Sequence, residues 1–181
     1  MITVGIDVGG TKIAGALVSE TGEILMSLKV ATPADSTEEL IEAVVSMVNE
    51  LRADREIKAV GVAIAGFIDA DRSEVIYSPN LSLRNEPLKA KLQAKLGVDV
   101  FVENDANAAV LGEKWLGLDR DVRHMLYMFS GVGCGILVNE EIFRGASGAA
   151  GELGITSPKQ SKEQAFEIAT QLGRWEMDLG M

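Results

Sequence analysis

The sequence predicts an α/β fold whose first part runs βββαβαβα. Apolar stretches separated by tight, glycine-containing turns predict an antiparallel meander of three strands, at Ile2 to Val8, Lys12 to Ser19 and Glu23 to Val30. From there to Leu116, helical and strand-like periods alternate. Three strands followed by such an alternation indicate one complete sheet-and-helix unit.

The first helix is predicted to begin after Ser36, because Ser36 and Glu39 have the spacing of a capping box. The apolar residues that follow recur with a helical period and mark one face: Leu40, Ile41, Val44, Val45, Val48 and Leu51. The next stretch, Ile57 to Ile64, is apolar throughout, which predicts a strand that is buried on both faces.

A loop, a helix, a strand and a third helix complete the first part. The second helix is predicted between Pro87, which suits the first turn of a helix, and Gly97, which suits its end. Its core face consists of Leu88, Leu92 and Leu96. The strand is predicted at Asp99 to Glu103 and the third helix at Asn104 to Leu116.

The second part of the chain is shorter and begins near Gly117 to Arg123. We predict two strands joined by a glycine-rich turn, a loop rich in glycine and alanine, and one amphipathic helix. These elements span residues 124–129, 133–139, 145–154 and 164–179. They are too few to close a sheet of the same kind. We therefore predict a domain at residues 1–118 and an incomplete second domain at residues 119–181.

Composition excludes several classes of protein. With 181 residues, 47% of them hydrophobic and 24% charged, the chain has the composition of a globular protein. A net charge of −10 disfavours binding to nucleic acid or to an anionic membrane. Cys134 is the only cysteine, so neither a disulfide framework nor a cysteine-rich metal site is expected. The sequence shows no signal peptide and no apolar stretch of membrane-spanning length, so we expect a cytoplasmic protein.

The turn after the first strand reads DVGGTK and suits a polyphosphate. Gly9 and Gly10 lack a Cβ atom, so their N–H groups can face an anion without a steric collision. Thr11 adds a hydroxyl donor and Lys12 a positive charge. Asp7, at the strand end, is positioned to hold Mg²⁺ through water. An ordinary hairpin turn remains the alternative, because pairs of glycines are common in hairpins.

Asn104 and Asp105 are candidate site residues because they fall where a strand ends and a helix begins. In α/β sheets, ligands bind at that edge. A helix N-terminus favours an ionised carboxylate, which can accept a hydroxyl proton during phosphoryl transfer. The alternative is a plain helix cap, for which Asn and Asp are preferred.

Loop segments supply the other candidates. Glu152, in GAAGELG, suits a pair of sugar hydroxyls or simply an exposed loop. Asn80, in YSPNL, suits a hydroxyl or a turn, and Gly66 follows a buried strand and lets a ligand approach. The run SGVGCG, Ser130 to Gly135, is able to cradle a second phosphate or to form a simple hairpin bend.

In this order, the segments DVGGTK, AGFID, SPNL, ENDANAA, SGVGCG and GAAGELG resemble the ROK family of sugar kinases, and among these the bacterial glucokinases. The resemblance covers residues 1 to about 155. It implies an actin-like ATPase (ribonuclease H-like) domain, followed by a truncated second domain of the same kind. It also implies the reaction of ATP with a hexose, expected to be glucose, to give ADP and the hexose 6-phosphate with Mg²⁺.

The resemblance implies a role for each candidate. Asp105 would be the general base that acts on the sugar 6-hydroxyl. The hexose would be bound by Gly66, Asn80, Asn104, Asp105 and Glu152. The nucleotide phosphates would contact two turns, at Asp7, Gly9, Gly10, Thr11 and Lys12 and at Ser130, Gly131 and Gly133.

Departures from the family pattern limit these expectations. Ile155 stands where the family's ExGH motif has a histidine, and the cysteine cluster that follows that motif is missing, so no zinc site is expected. Cys134 stands where the second turn usually has glycine. Because the chain ends soon after GAAGELG, before the family's adenine pocket, we expect weak ATP affinity and impaired activity.

Two alternatives to a working kinase stay in view. The first is a non-catalytic remnant that still binds sugar, and the second is a half that pairs with another chain. Exposed apolar surface would make a homodimer the expected assembly. A transcriptional regulator of the ROK type is disfavoured, because such proteins begin with a helix-turn-helix whereas this acidic chain begins at the phosphate-turn strand.

Overall fold

The computed structural model describes residues 1–117, 122–128 and 133–152. The chain divides into two compact units after Asp105. Within the described residues, no helix combines the length and the apolar character that crossing a membrane requires. The helix predicted at residues 164–179 lies outside the described residues.

The first unit is built on a mixed sheet. Its elements are β1 (Ile2–Val8), β2 (Lys12–Ser19), β3 (Ile24–Ala31), α1 (Thr37–Arg52), β4 (Ala59–Ile64), β5 (Phe67–Ile68), β6 (Val75–Tyr77), β7 (Arg84–Glu86), α2 (Leu88–Leu96) and β8 (Asp99–Asn104). Five strands form the main sheet in the order β3-β2-β1-β4-β8. Strands β1, β4 and β8 run parallel, whereas β1, β2 and β3 form the predicted antiparallel meander.

The core of the first unit lies between the main sheet and the two helices. Helix α1 is capped as predicted, with the Ser36 hydroxyl accepting the N–H of Glu39 at 3.3 Å. Its buried face includes Met47, which the periodicity missed, while Val45 is only partly buried. Helix α2 buries the three predicted leucines and ends at Gly97, whose φ of 70° is left-handed.

Strand β4 corrects one prediction. Its residues alternate between buried and accessible, with Val60, Val62 and Ile64 inside and Gly61 exposed. The expectation of burial on both faces is therefore wrong. Both helices share one hydrophobic core with the valines and isoleucine of β4. The opposite side of the strand consists of small residues that are not fully buried. The continuous apolar run in the sequence therefore did not indicate packing on both faces.

The strand β3 lies at an edge of the main sheet and is irregular at one point. It is the outermost strand of the main sheet, and Ile24 and Val30 are 64% and 44% exposed. The register with β2 shifts between Leu17 and Val18, so that Leu25 has no partner across the pair. An extra residue of this kind is a β-bulge, which bends the strand and increases its twist.

A small antiparallel sheet occupies the region predicted as a loop after β4. It consists of β5, β6 and β7 in that order. The turn between β5 and β6 is closed by Asp69, whose carboxylate accepts the N–H groups of Ser73 and Glu74 at 2.7 and 2.9 Å. Desolvation would raise the pKa of Asp69, but these hydrogen bonds together outweigh it and lower the pKa.

Helix α3 (Asp105–Leu116) lies in the second unit from Ala106 onward, together with a three-stranded antiparallel sheet. The strands are β9 (Met125–Met128), β10 (Cys134–Val138) and β11 (Glu141–Ile142), in the order β11-β10-β9. Gly135 of β10 lies against the Ala106 carbonyl and Val110 of the helix. This packing groups α3 with the later strands. The division into domains at residues 1–118 and 119–181 stays a prediction.

A candidate sugar and phosphate site at the carboxyl edge of the sheet

The parallel strands bring several predicted site segments to one edge of the first unit. Val8 pairs with Ile64, and Ile64 pairs with Asn104, so β1, β4 and β8 end in one row. Neighbouring strands lie about 4.8 Å apart, which puts the ends of β1 and β8 about 10 Å apart. The glycine turn follows β1, Gly66 follows β4, and Asp105 follows β8.

The glycine turn between β1 and β2 is held by hydrogen bonds of its own. The N–H of Gly9 donates to the Lys12 carbonyl at 3.0 Å. The Thr32 hydroxyl donates to the Gly9 carbonyl at 2.7 Å, and the Thr32 N–H donates to the Thr11 carbonyl at 3.1 Å. The sequence predicted that the Gly9 N–H faces an anion, but this N–H donates within the turn instead. Phosphate binding by the turn as a whole stays a prediction.

Gly10 joins this turn to the predicted sugar ligand Asn80. A Cβ atom built on Gly10 would lie 2.8 Å from the Cβ of Asn80, closer than carbon atoms pack. The position therefore requires glycine because of a contact made across 70 residues of chain. Two segments that the sequence singled out separately, DVGGTK and SPNL, are in direct contact.

A second set of contacts joins the AGFID segment to SPNL and to the end of β8. The hydroxyl of Ser78, a fully buried residue, donates to the Ala65 carbonyl at 2.7 Å. A Cβ atom on Gly66 would lie 2.7 Å from the Tyr77 carbonyl, so glycine is required here as well. The Asn104 side-chain amide donates to the Gly66 carbonyl at 3.2 Å. These hydrogen bonds link the Ser78 loop to the segment after β4, and that segment to Asn104 at the end of β8.

Asp105 lies where β8 passes into α3. It is the first residue of that helix and is half-buried. The backbone before it is fixed by Glu103, whose carboxylate accepts the Asn104 N–H at 3.0 Å. A carboxylate in the first turn of a helix is stabilised in its ionised form by the helix dipole. Asp105 therefore has the placement that a proton acceptor at this edge needs.

Asp7 is the acidic group at the end of β1. It pairs with Ala63 on the side of the strand opposite the buried Ile6 and Val8, and neighbouring groups partly desolvate its carboxylate although the residue is exposed. Desolvation raises the pKa of Asp7, while the nearby Lys12 ammonium lowers it. Among the described residues, no three His, Cys, Asp or Glu side chains gather to hold a metal. One carboxylate suits Mg²⁺, which is commonly bound by few carboxylates together with water and phosphate oxygens.

The second unit brings two further candidates together around one hydrogen bond. The N–H of Cys134 donates to the Gly151 carbonyl at 2.9 Å. Gly133 precedes the first residue of this pair and Glu152 follows the second, so both lie at the same end of β10. Gly151 has a φ of 90°, and a Cβ atom there would collide with the Cys134 carbonyl. Ser130 and Gly131 lie outside the described residues.

Cys134 is a buried residue, which indicates a structural role. It is 5% exposed, and desolvation raises the pKa of its thiol. A thiol that is buried and protonated is a poor nucleophile. The cysteine at this position, where the resemblance predicts glycine, therefore packs as a buried residue.

Sequence reasoning missed two residues that shape the site. Ser78 precedes the Pro79–Asn80 pair, and only its burial shows that it anchors the loop. Arg84 carries no motif signal, yet its guanidinium donates to the carbonyls of Ser78 and Leu83 at 2.7 and 2.6 Å. Contacts between a side chain and distant carbonyls have no periodicity that a sequence pattern reports.

The chain is similar to sugar kinases and to a regulator. Residues 3–166 match the ROK family. A glucokinase of Streptomyces coelicolor is 43% identical over 155 residues, which are 84% of this chain and 49% of that protein. A putative xylose repressor of Caldicellulosiruptor is 34% identical over 161 residues, which are 84% of this chain and 40% of that protein.

A solved structure gives the same result for the fold. The crystal structure of a ROK family glucokinase from Streptomyces griseus, in complex with glucose and AMPPNP, superimposes with a TM-score of 0.79 at 39% identity. The match covers 85% of this chain and 50% of that one, so the chain spans about half the length of the relatives it matches. The fold is the mixed α/β, actin-like ATPase fold of these kinases. Because the family match extends over residues 3–166, this chain belongs to the ROK family.

Proposed function

We propose that this chain carries the sugar and phosphate site of a kinase that transfers the γ-phosphoryl group of ATP to the 6-hydroxyl of glucose. The observation that carries the proposal is the convergence, at one sheet edge, of the glycine turn, Gly66, Asn104 and Asp105. The contact between Gly10 and Asn80 supports it further. Glucokinase relatives, and a related structure that holds glucose and AMPPNP, favour this reaction over others.

In the proposed reaction the Asp105 carboxylate accepts the proton of the sugar 6-hydroxyl. The hydroxyl oxygen then forms a bond to the γ-phosphorus, the bond from that phosphorus to the bridging oxygen breaks, and ADP leaves with those electrons. Its place as the first residue of α3 suits this role, because the N-terminus of a helix favours a carboxylate over the neutral acid. Asp7 is the residue that would hold Mg²⁺ through water, and the ion would neutralise phosphate charge.

The proposed hexose ligands are the side chains of Asn80, Asn104 and Glu152. An amide offers both a donor and an acceptor to sugar hydroxyls, and a carboxylate accepts two. Gly66 is also proposed to line the hexose site, although the direction in which its Cβ atom would point is filled by the Tyr77 carbonyl. Ser130, Gly131 and Gly133 are proposed to contact the nucleotide. That two copies of the chain form a homodimer also belongs to this proposal.

The test combines glucose binding with turnover. Calorimetry of the full chain should give a heat of binding with glucose at millimolar concentration, and a coupled assay should detect ADP. Asp105→Asn should still bind glucose and should lose about 10²- to 10⁴-fold in turnover, because an amide cannot accept the proton. Asp71→Asn, at an exposed turn residue, is the matched control and should behave like the wild type. Absence of glucose binding, or full activity of Asp105→Asn, would refute the proposal.

A second candidate function is sugar sensing without phosphoryl transfer. The observation that favours it is the 34% identity to a putative xylose repressor. Under this alternative the chain would bind glucose or xylose and release no ADP with any sugar tested. The same pair of measurements therefore separates the two functions.

A further inference from the structure

The loop that carries Asn80 is gathered around one arginine. Arg84 begins β7, and its Nη1 atom donates to the carbonyls of Ser78, Leu81 and Leu83 at 2.7, 3.1 and 2.6 Å. Its guanidinium carbon lies 3.8 Å from the centre of the Tyr77 ring, in a cation–π contact. The arginine thus contacts both ends and the middle of the loop at residues 78–83.

An arginine suits this position better than any other residue. Three carbonyl groups that converge within a short loop bring their negative ends together, and a cation offsets this repulsion. The guanidinium is planar and always charged, so it can donate to the carbonyls while it stacks on the tyrosine. A lysine supplies the charge and donors, but it has no plane to stack.

The two halves of the loop are anchored differently. The later half is tied to the region around α1, because the Ser82 N–H donates to the Ala34 carbonyl at 2.9 Å and the Thr37 hydroxyl donates to the Ser82 carbonyl at 2.7 Å. Asn80 lies between Ser78 and Leu81, two residues whose carbonyls Arg84 holds. The exposed Asn80 side chain therefore takes its position from the part of the loop that depends on Arg84.

We infer that Arg84 is a positioning residue for the hexose, which acts by holding Asn80 against Gly10 at the sugar site. The inference rests on the proposed function, because it takes Asn80 to be a sugar ligand. Contacts that a protein side chain makes equally with the substrate and with the transition state govern KM rather than kcat. Loss of the guanidinium should therefore raise KM for the hexose and leave kcat and KM for ATP near their wild-type values.

The experiment compares Arg84→Met, Arg84→Lys and Arg52→Met in the full chain. Arg52 also donates to a carbonyl, that of Leu96 at 3.3 Å, but it ends α1, which precedes β4 and so lies at the opposite edge of the parallel strands. Steady-state kinetics give KM and kcat for glucose and ATP. Hydrogen exchange reports the Ser78 amide, which donates to Leu83 across the loop, and the Ser82 amide serves as an internal reference.

Arg84→Met should raise KM for glucose about tenfold, the effect of losing one well-placed hydrogen bond at the sugar. It should speed exchange at Ser78 more than at Ser82. Arg84→Lys should recover part of the affinity, and Arg52→Met should leave KM unchanged. An unchanged KM and exchange in Arg84→Met, or an equal rise in KM in Arg52→Met, would overturn the inference. A wild-type chain that binds no hexose would overturn the proposed function, and exchange alone would then decide whether Arg84 holds the loop.

Discussion

Gly10→Ala is the substitution whose effect the structure defines most closely. The new methyl group would lie 2.8 Å from the Cβ of Asn80, whereas carbon atoms in contact lie about 3.5–4.0 Å apart. Either the turn or the Asn80 loop must therefore move by about 1 Å. Because the Cβ of Asn80 moves only together with its backbone, we expect a loss of about 1–3 kcal/mol of unfolding free energy, the usual cost of overpacking.

Catalysis should suffer together with stability. A displacement of about 1 Å in a residue that positions substrate can cost about 10²-fold in rate. We therefore expect Gly10→Ala to lower kcat/KM for glucose by about 10- to 100-fold. A coupled assay measures this fall, and urea denaturation measures stability.

Gly5→Ala is the matched control for this prediction. Gly5 lies in the same strand, β1, and a Cβ atom there would have no neighbour within 4 Å. The added methyl should leave kcat/KM unchanged and should stabilise the strand slightly, because alanine loses less conformational entropy on folding. Wild-type kcat/KM in Gly10→Ala, or an equal loss in both variants, would refute the reasoning.

Two further predictions concern stability. Folding raises the pKa of Asp7, so the fold loses stability as pH rises through the pKa of the folded state and Asp7 ionises. Asp7→Asn should therefore raise the melting temperature modestly at about pH 7 and not at about pH 3. Equal gains in melting temperature at the two pH values would contradict this. Ser78→Ala should lose about 1–3 kcal/mol of unfolding free energy in urea denaturation, because the Ala65 carbonyl loses its buried donor. Ser73→Ala, which loses a hydroxyl bond to Asp69 at the surface, should lose less, and the reverse order would count against this account.

The elements that the sequence predicted well are those whose own residues determine them. Strands β1 and β2 have the predicted bounds, and α1 begins after its predicted cap, because the apolar period and the Ser36 side chain act locally. The small sheet of β5 to β7 was missed because strands of two or three residues are too short to show an alternation. The two-faced burial predicted for β4 was wrong because apolar content alone does not say which faces are covered.

The site was predictable to the extent that topology determines it. Parallel strands must end at a common edge, so the order of elements was enough to bring Gly66, Asn104 and the glycine turn together. The contact between Gly10 and Asn80 depends on how two distant loops pack, and no local pattern encodes it. The engagement of the Gly9 N–H within its own turn also needed coordinates.

The bulge in β3 bears on how the protein behaves when many copies are crowded together. In the part of the chain that the structure describes, β3 is an outermost strand, and such a strand with exposed apolar side chains such as Ile24 is a template on which another chain can add. The extra residue Leu25 breaks the straight run of donors and acceptors, and the charge of Lys29 makes the docking of a second strand unfavourable. A deletion that straightened this strand would therefore be more damaging to solubility than to folding, even though it would remove no residue from the core.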